Sequence, residues 1–280
     1  MPRDVPMPQA AWKANLALAF ERRDGRTILA ARRHEGPLVV QKSLHPEGDE
    51  VCHAIVVHPP GGIAGGDELV IDVGLAEGAH ALLTTPGAGK WYRSGGARAS
   101  QHVRIEAARD SVVEWLPQES IIFDGALATL DFEARLEKGA RLMAWDILCL
   151  GRTGSGERFT KGSVRLGLRV VREGRPLWIE RGHLEPGSRA LESPVGLDGH
   201  TVCATFVLAG SEIDDSALAA CRGKTPVEGE GAVTRMPHVF LARYRGDSGE
   251  AARRYFTDLW HLLRPILAGR DAVEPRIWRT

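Results

Sequence analysis

The sequence predicts a mainly β protein whose stacked β-sheets resemble an irregular β-helix, with two short-to-medium α-helices in the C-terminal third. Three observations lead to this prediction. Short apolar runs alternate with polar residues, as half-buried strands do. Glycine and proline, 32 and 16 of 280 residues, stand singly or in pairs between those runs, which is typical of many turns. A strand, a turn and a strand also recur about every 30 residues, and such an interval indicates a repeat.

The N-terminal part of the chain is predicted to form paired strands. Residues 12–22 favour a first strand, and a turn over residues 22–25 connects it to a partner strand over residues 27–33. A third strand is expected over residues 38–41. Residues 43–49 are expected to form a loop.

The middle of the chain contains four copies of the repeat. Each copy has an alternating run, a turn and a denser apolar run. The turn residues are 32, 29 and 35 positions apart: Gly78, Asp110, Gly139 and Gly174. Alternation indicates strands with one buried face, whereas the denser runs indicate strands buried on both faces. We expect such units to stack on their neighbours. An ordinary β-sandwich with hairpins of similar length is the alternative.

Two helices are predicted after the last copy. A capping box that begins at Ser211 opens a short helix to Cys221, and Gly223 ends it. Ser248 caps a longer helix that ends near Pro265. The apolar face expected of the longer helix consists of Ala251, Tyr255, Leu259, Leu262 and Leu263.

The composition limits the classes of partner. Lys+Arg and Asp+Glu number 36 each, so no overall field would recruit nucleic acid or an anionic membrane surface. No uncharged apolar run approaches the roughly 18 residues of a membrane span. The cysteines show no CxxC spacing and the N-terminus shows no signal peptide, which favours a reduced, cytoplasmic protein. We expect a single domain over residues 1–280, with residues 1–11 flexible.

Residues 58–94 hold the densest group of motifs. HPPGGIAGGD packs two prolines and four glycines into ten residues, and TTPGAGKWYRS follows after two strand-like runs. Glycine reaches conformations that are costly for other residues, so these two corners are expected to allow close approach. The residues of this structural motif are His58, Pro59, Pro60, Gly61, Gly62, Gly65, Gly66, Thr84, Thr85, Pro86, Gly87, Tyr92, Arg93 and Ser94.

This pattern resembles the urease accessory protein UreD family, in which HPPGG is followed by GGD, by TTPGA and by a Lys-aromatic-Tyr-Arg-Ser run. The similarity continues in WLPQE at residues 115–119 and in WDI and LGR within residues 145–152. It includes LW and LRP within residues 259–265, and PRIW at residues 275–278. The resemblance spans nearly the whole chain, from about residue 12 to residue 280.

The resemblance implies a β-helix-like fold and a non-enzymatic scaffold that helps to insert nickel into urease. Such proteins bind the urease apoprotein and UreF directly, and they engage the GTPase UreG through UreF. No tightly bound cofactor is implied, and Ni²⁺ would pass transiently. Trp260 and Trp278 are candidate interface anchors, with core packing as the alternative. We expect residues 271–280 to fold back as a strand-like run.

Acidic residues at related positions of the repeat predict a path for that cation. Glu114, Asp146 and Glu180 stand four, seven and six residues after the turn of their copies. If the copies stack, these carboxylates form an acidic lane, that is, a row along the stacking direction. Asp67 in the glycine-rich corner lies at one end of this row. Oxygen ligands without a full cage bind Ni²⁺ weakly, as a conduit requires. The alternative is that they are surface carboxylates paired with arginines.

Two other classes of function are kept as alternatives. A β-helical carbohydrate-active enzyme would use paired carboxylates, for which Asp67, Glu119 and Asp124 are the candidates. The chain could instead be a static subunit of mature urease. Three side chains near the first corner are either soft metal ligands or ordinary strand residues: Cys52, His53 and His58.

Overall fold

The computed structural model describes residues 11–279. The segment expected to be flexible, residues 1–11, lies outside the described residues as far as residue 10. The strands are β1 (Lys13–Arg23), β2 (Arg26–Glu35), β3 (Val39–Leu44), β4 (Val51–Val57), β5 (Glu68–Leu75), β6 (His80–Thr84), β7 (Gly89–Trp91), β8 (Ala99–Ala107), β9 (Val112–Trp115), β10 (Ser120–Ile122), β11 (Leu127–Leu136), β12 (Arg141–Leu150), β13 (Ser163–Arg172), β14 (Arg175–Leu184), β15 (Val202–Ala209), β16 (Glu230–Met236) and β17 (Val239–Gly246). The helices are α1 (Arg189–Glu192), α2 (Asp215–Arg222) and α3 (Gly249–Ala268).

Two sheets enclose the main hydrophobic core. Sheet A has the strand order β14-β13-β11-β8-β5-β1-β2, and sheet B has the order β16-β17-β15-β12-β9-β6-β4-β3. β5, β8 and β11 pair in parallel in sheet A, and β6, β9 and β12 pair in parallel in sheet B. The chain therefore winds through both sheets in a β-solenoid-like stack of about four turns. The predicted fold class, mainly β with stacked sheets and two sizeable helices near the C-terminus, is confirmed.

The first three predicted turns carry the chain from sheet A to sheet B. Each places one residue in the left-handed region, with φ of 68° at Gly78, 57° at Asp110 and 76° at Gly139. The turns stack, since the Gly78 amide donates to the Arg109 carbonyl at 3.0 Å and the Asp110 amide donates to the Lys138 carbonyl at 3.1 Å. For these copies, the interval read from the sequence is the length of one solenoid turn.

The fourth predicted copy is not a solenoid turn, so the prediction that it repeats the others is wrong. Glu173 and Gly174 both have left-handed φ values, 48° and 78°, which is the geometry of a two-residue type I′ hairpin. β14 therefore turns back beside β13 as an antiparallel edge strand of sheet A, and β15 takes the place next to β12. Pro176 was a signal for this outcome, because proline in sheets is confined to edges, strand starts and bulges.

Burial differs between the two sheets as the apolar patterns predict. In β5 of sheet A, alternate residues contact the core and the others are more exposed. In sheet B, β6 and β9 are buried at every position because α3 and the C-terminal tail together cover the outer face of this sheet. No helix within residues 11–279 combines the length and the apolar character needed to cross a membrane.

The shorter predicted helix is present as α2, with a correction at its start. Its N-cap is Asp214, whose side chain accepts a hydrogen bond from the Ala217 amide at 2.7 Å, and not Ser211. Asp214 is adjacent to the first helical residue and has an extended backbone, which suits a cap. The helix ends before Gly223, as predicted.

The longer predicted helix is present as α3, with a correction at its end. Ser248 caps it as predicted, and its hydroxyl accepts from the Ala251 amide at 3.1 Å. The helix continues past Pro265 and ends at Gly269, which adopts the left-handed conformation. Proline removes one amide donor, but the buried side chain of Leu267 holds the last turn in the cluster beneath the helix.

The C-terminal tail folds back as expected, but as a 3₁₀ turn over Arg276–Arg279 and not as a strand. Trp278 is 9% exposed and donates from Nε1 to the Thr84 hydroxyl at 2.8 Å. Trp260 of α3 is fully buried, and the ring centroids of the two tryptophans are 5.5 Å apart. Their interpretation as interface anchors is therefore wrong. Both side chains fix α3 and the tail to sheet B.

A buried ion cluster also fixes α3 to sheet B. The guanidinium of Arg264, which is fully buried, donates to Glu114 at 3.1 Å and to Glu47 at 2.6 and 2.8 Å. His80 lies 2.7 Å from Glu114, and His53 lies 2.5 Å from Glu47. Desolvation raises the pKa of Glu114, but the hydrogen bond from His80 and the charges of His80 and Arg264 lower it to about 2. This carboxylate is therefore ionised and depends on its cationic partners.

Replacing Arg264 by Met is expected to lower the free energy of unfolding by about 3–5 kcal/mol, because two buried carboxylates lose their counter-charge. Denaturant unfolding measures the change. Arg254→Met, on the exposed face of the same helix, serves as the control and should change the free energy by less than about 0.5 kcal/mol. A loss below about 1 kcal/mol for Arg264→Met would show that the cluster does not hold the helix.

Candidate functional site

Three return corners lie next to one another along one side of the two sheets. After β4, β6 and β9 of sheet B, the chain goes back to sheet A through residues 58–67, 85–98 and 116–126. Short parallel pairings connect these corners: Ile63 bridges Trp91, and β7 pairs with β10, which pairs with β12. The HPPGG, TTPGA and WLPQE motifs, which are far apart in the sequence, are therefore stacked.

Two glycines of the first corner are required by side chains of the second. A Cβ atom on Gly62 would lie 2.1 Å from Cε2 of Tyr92, and one on Gly65 would lie 2.5 Å from Oγ of Ser94. Neither distance leaves room for a side chain at the glycine. The close approach that the sequence indicated is thus the contact between the two glycine pairs and the KWYRS run.

Carboxylates close the first and third corners through backbone amides. The Asp67 carboxylate accepts hydrogen bonds from the amides of Ala64 and Trp12, both at 2.8 Å, and so ties the first corner to the start of β1. The Asp124 carboxylate accepts from two consecutive amides of the loop after β12, at 2.7 and 2.8 Å. Both residues order the corners in which they lie.

A cavity of about 340 Å³ lies between the sheets behind these corners. Its corner end is lined by His58 and by residues 85–90 and 117–120. Its walls are largely apolar, with Leu69 and Val103 among them. Its far end is lined by polar side chains from three strands: Asp146, Glu180 and Thr205. The HPPGG, TTPGA and WLPQE motifs thus form one end of a cavity whose other end is acidic.

Asp146 is an unpaired carboxylate in this cavity. It lies on the inner face of β12, between Ala144 and Leu148 of the main core. No side chain within residues 11–279 donates a hydrogen bond to it. Desolvation, and secondly the charge of Glu180, raises the pKa of Asp146 to about 6, although a hydrogen bond from the Ile147 amide opposes this shift. A nearby cation favours the charged form of such a group, so the site is suited to a positive ligand.

Glu180 reaches the same region from β14, in the opposite sheet. Its carboxylate accepts hydrogen bonds from Arg243 of β17 at 2.6 and 2.7 Å, and from Nε1 of Trp178 at 3.3 Å. Arg243 also donates to the hydroxyl of Thr205 at 2.7 Å. This ion pair bridges the two sheets at the far end of the cavity. Sequence reasoning missed Arg243, although a charged residue inside the apolar run of β17 was a signal.

The acidic lane expected from the repeat forms only in part. Asp146 and Glu180 line the same cavity, but they do so from opposite sheets, because the hairpin places β14 in sheet A. The expectation for Glu114 is wrong: it is paired with Met143 of β12, whose side chain faces α3, and so lies on the other face of sheet B. Asp67 lies outside the cavity lining.

The side chains considered as soft metal ligands are not brought together. Cys52 packs into the main core, where burial raises the pKa of its thiol to about 11. His53 faces the other side of sheet B and contacts Glu47. His58 lines the cavity, and burial, opposed by the charge of Asp67, lowers its pKa. Within residues 11–279, no group of three or more His, Cys, Asp and Glu side chains is arranged to hold a metal.

The carboxylates considered for glycoside cleavage are engaged elsewhere. Asp67 and Asp124 accept from backbone amides, and Glu119 pairs with Arg253 of α3 at 3.2 Å. A general acid for this chemistry needs a carboxyl group with a raised pKa, whereas the hydrogen bonds to Asp124 lower its pKa. These contacts suit structural roles.

Comparisons with known proteins agree with the sequence resemblance. The family model described as UreD urease accessory protein matches residues 13–279. The urease accessory protein UreD of Azoarcus sp. (strain BH72) is 55% identical over 278 residues, which cover 99% of this chain and 98% of that protein. That of Dechloromonas aromatica (strain RCB) is 51% identical over 284 residues, covering 100% and 99%. That of Pseudomonas aeruginosa is 49% identical over 271 residues, covering 96% of each.

Gly62→Ala is expected to lower the free energy of unfolding by about 1–3 kcal/mol, because the added methyl group displaces the ring of Tyr92. Gly87→Ala is the control, since a Cβ there meets no atom within 4 Å. In a Tyr92→Ala background the extra loss from Gly62→Ala should disappear, as a double-mutant cycle by denaturant unfolding would measure. Equal losses in both backgrounds would contradict the contact.

Proposed function

The chain belongs to the UreD family of urease accessory proteins, which are maturation factors and not enzymes, and on this basis we propose that it is a scaffold for nickel delivery into urease. It binds the urease apoprotein, binds UreF directly and engages UreG through UreF. It works in the cytoplasm, in keeping with the four cysteines, which are all free thiols.

The unpaired carboxylate of Asp146 carries the proposal of a nickel path. It lies in a cavity whose corner end holds His58, and the lowered pKa of this histidine keeps its imidazole neutral and able to coordinate a metal. Imidazole and carboxylate are both ligands that Ni²⁺ accepts. Nickel therefore passes from the corner end to the pair formed by Asp146 and Glu180. Asp67 acts in this path by holding the first corner.

The ligand set suits transfer and not storage. Asp146 is unpaired, whereas Glu180 is neutralised by Arg243 through two short hydrogen bonds. A cation at the far end must share Glu180 with that guanidinium, which weakens its binding. Two carboxylates and a separate imidazole also leave most coordination positions to water. The ion remains transient and the protein keeps no tightly bound cofactor.

Nucleotide hydrolysis belongs to a partner in this proposal. Lys90 follows a glycine, as in phosphate-binding loops, but both residues lie in strand β7. Phosphate-binding loops instead place backbone amides at the start of a helix. The GTP consumed in maturation is therefore hydrolysed by UreG, and this chain supplies the assembly surface and the path.

Reconstitution tests the function as a whole. Urease apoprotein, UreF, UreG, nickel and GTP are combined with and without this chain, and urease activity and bound nickel are measured. We expect activation to depend on the chain, and the chain to co-purify with UreF and apoprotein. Equal activation without the chain would refute the proposal. Retention of the chain in mature, active urease would favour the static subunit instead.

Asp146→Asn and Glu180→Gln should each lower the nickel content of reconstituted urease roughly tenfold, equivalent to about 1.4 kcal/mol of lost cation binding. Complex formation, measured by co-elution with the apoprotein, should be unchanged. Asp72→Asn, on the outer face of sheet A and paired with Arg104, is the control. Normal nickel content in both cavity variants would exclude the path.

Nickel binding by the full chain should weaken as the pH falls through about 6, because Asp146, whose pKa is raised to about 6, then takes up a proton. Calorimetry at about pH 5 and about pH 7.5 measures the difference, which should be smaller in Asp146→Asn, where His58 still responds to pH. Without nickel, the folded state holds this proton more tightly than the unfolded state, so Asp146 lowers stability as the pH rises from about 4 to about 6. A pH response in Asp146→Asn as large as that of the wild type would contradict this assignment.

A further inference from the structure

Charged residues on the outer face of sheet A pair across neighbouring strands. Over the first part of the sheet, acidic residues stand directly opposite lysine, arginine or histidine, and pairs of opposite charge stabilise neighbouring strands. The distances are 3.9, 2.7, 3.3 and 3.4 Å for Lys13–Glu68, Asp72–Arg104, His102–Asp131 and Glu106–Arg135. This alternation runs from β1 to β11 without an unmatched cluster of one sign.

The alternation stops at β13 and β14. Within the part of the chain that the structure describes, Arg165, Arg169 and Arg181 form no ion pair, and all three are exposed. Glu133 lies opposite Arg169 in the register, yet its carboxylate turns to Arg135 of its own strand at 2.9 Å. The sheet therefore ends in a group of unmatched cations.

An exposed apolar side chain lies among these cations. Ile179 is 50% exposed, stands directly opposite Arg169 and precedes Arg181 by two residues on the same face of β14. Together with Gly167, these residues line a depression of about 480 Å³. Ile179 packs against neither hydrophobic cluster of the described residues, and arginine with an apolar neighbour is common at protein interfaces.

We propose that this surface, the arginine edge formed by Arg165, Arg169, Ile179 and Arg181, docks an acidic segment of the urease apoprotein. The inference rests on the proposed function. Carboxylates of the partner continue the alternation of charge beyond β14, and an apolar side chain of the partner covers Ile179. Arginine suits this role because its planar guanidinium binds a carboxylate through two parallel hydrogen bonds.

A protein partner fits the arginine edge better than a nucleic acid does. The carboxylates of Glu68, Asp131 and Glu133 line the same depression, so the evenly spaced phosphates of a nucleic acid could not all avoid them. The chain has no net charge, so no long-range field attracts a polyanion. A charged phosphate backbone would also bury little of the apolar surface of Ile179. A polypeptide can instead place individual carboxylates at the arginines and avoid the acidic residues.

The position of the arginine edge favours, as its partner, the protein that receives the nickel. Ile179 and Arg181 flank Glu180, and successive side chains of a strand point to opposite faces. The arginine edge is therefore the outer side of the strand whose inner side lines the far end of the cavity. A protein docked here is separated from Glu180 by the thickness of one sheet, and from Asp146 by that sheet and the cavity. The urease apoprotein, which receives the nickel, needs this proximity.

The test measures binding of the full chain to immobilised urease apoprotein by biolayer interferometry, with UreF present throughout. The double variant Arg169→Glu/Arg181→Glu should bind at least tenfold more weakly at about 0.05 M salt, and its affinity should depend less on salt than that of the wild type. The control Arg33→Glu/Arg158→Glu makes the same change of charge at two other exposed arginines and should stay within twofold. Arg169→Gln/Arg181→Gln, which adds no repulsion, should show an intermediate loss, and unfolding curves should match the wild type.

The possible outcomes separate the two proposals. If the wild type binds the apoprotein and the arginine-edge variants bind no worse than the control, the docking surface is wrong and the proposed function stands. If the wild type does not bind at all, the proposed function fails and the docking surface fails with it. If a single-stranded RNA of twelve nucleotides displaces the apoprotein from the wild type but not from Arg169→Glu/Arg181→Glu, the edge is a nucleic-acid site and the proposal is overturned.

Discussion

Parallel, in-register pairing in both sheets is the constraint on which the other features of the structure depend. Because β5, β8 and β11 keep one register and β6, β9 and β12 keep another, each return corner comes to lie beside the previous one. Glycine is needed where Tyr92 and Ser94 of one corner press on the corner before it. A slip of one residue in either sheet would move a whole strand of side chains to the opposite face. Corner contacts and core packing therefore support the same register.

The cavity extends to the place where this winding stops. After β13 the chain reverses into an antiparallel edge, and the inward side chains of Leu166 and Leu168 are only partly buried. The ion pair between Glu180 and Arg243 crosses from one sheet to the other at this end. Apolar side chains of similar volume would fill such a space at least as stably as an ion pair. Stability therefore does not require the polar lining, which agrees with the nickel path proposed above.

The helical side of sheet B gives support to the corner end of the cavity. Arg264 connects α3 to Glu114 of β9 and to Glu47 of the loop before β4. Trp278 reaches the hydroxyl of Thr84, the last residue of β6, and the second corner begins at the next residue. The buried charges on the helix-covered face of sheet B and the packed glycines at the corners thus stabilise the same strands. These contacts fix the strands that surround the cavity.

Local patterns in the sequence determined the strands, the turns of the first three copies and the Ser248 cap. Each of these depends on side-chain alternation, on turn residues or on a capping residue, all of which act within a few residues. The contact that requires glycine at position 62 is tertiary, because Tyr92 belongs to the next corner. Tertiary structure decided which face of sheet B carries Glu114, what covers Trp260, and that Glu180 meets Asp146 from the opposite sheet. Alternation shows that one face of a strand is buried but not what buries it. Whether a glycine turn crosses to the other sheet or forms a hairpin depends on the conformation of one neighbouring residue and on which sheet position is still free.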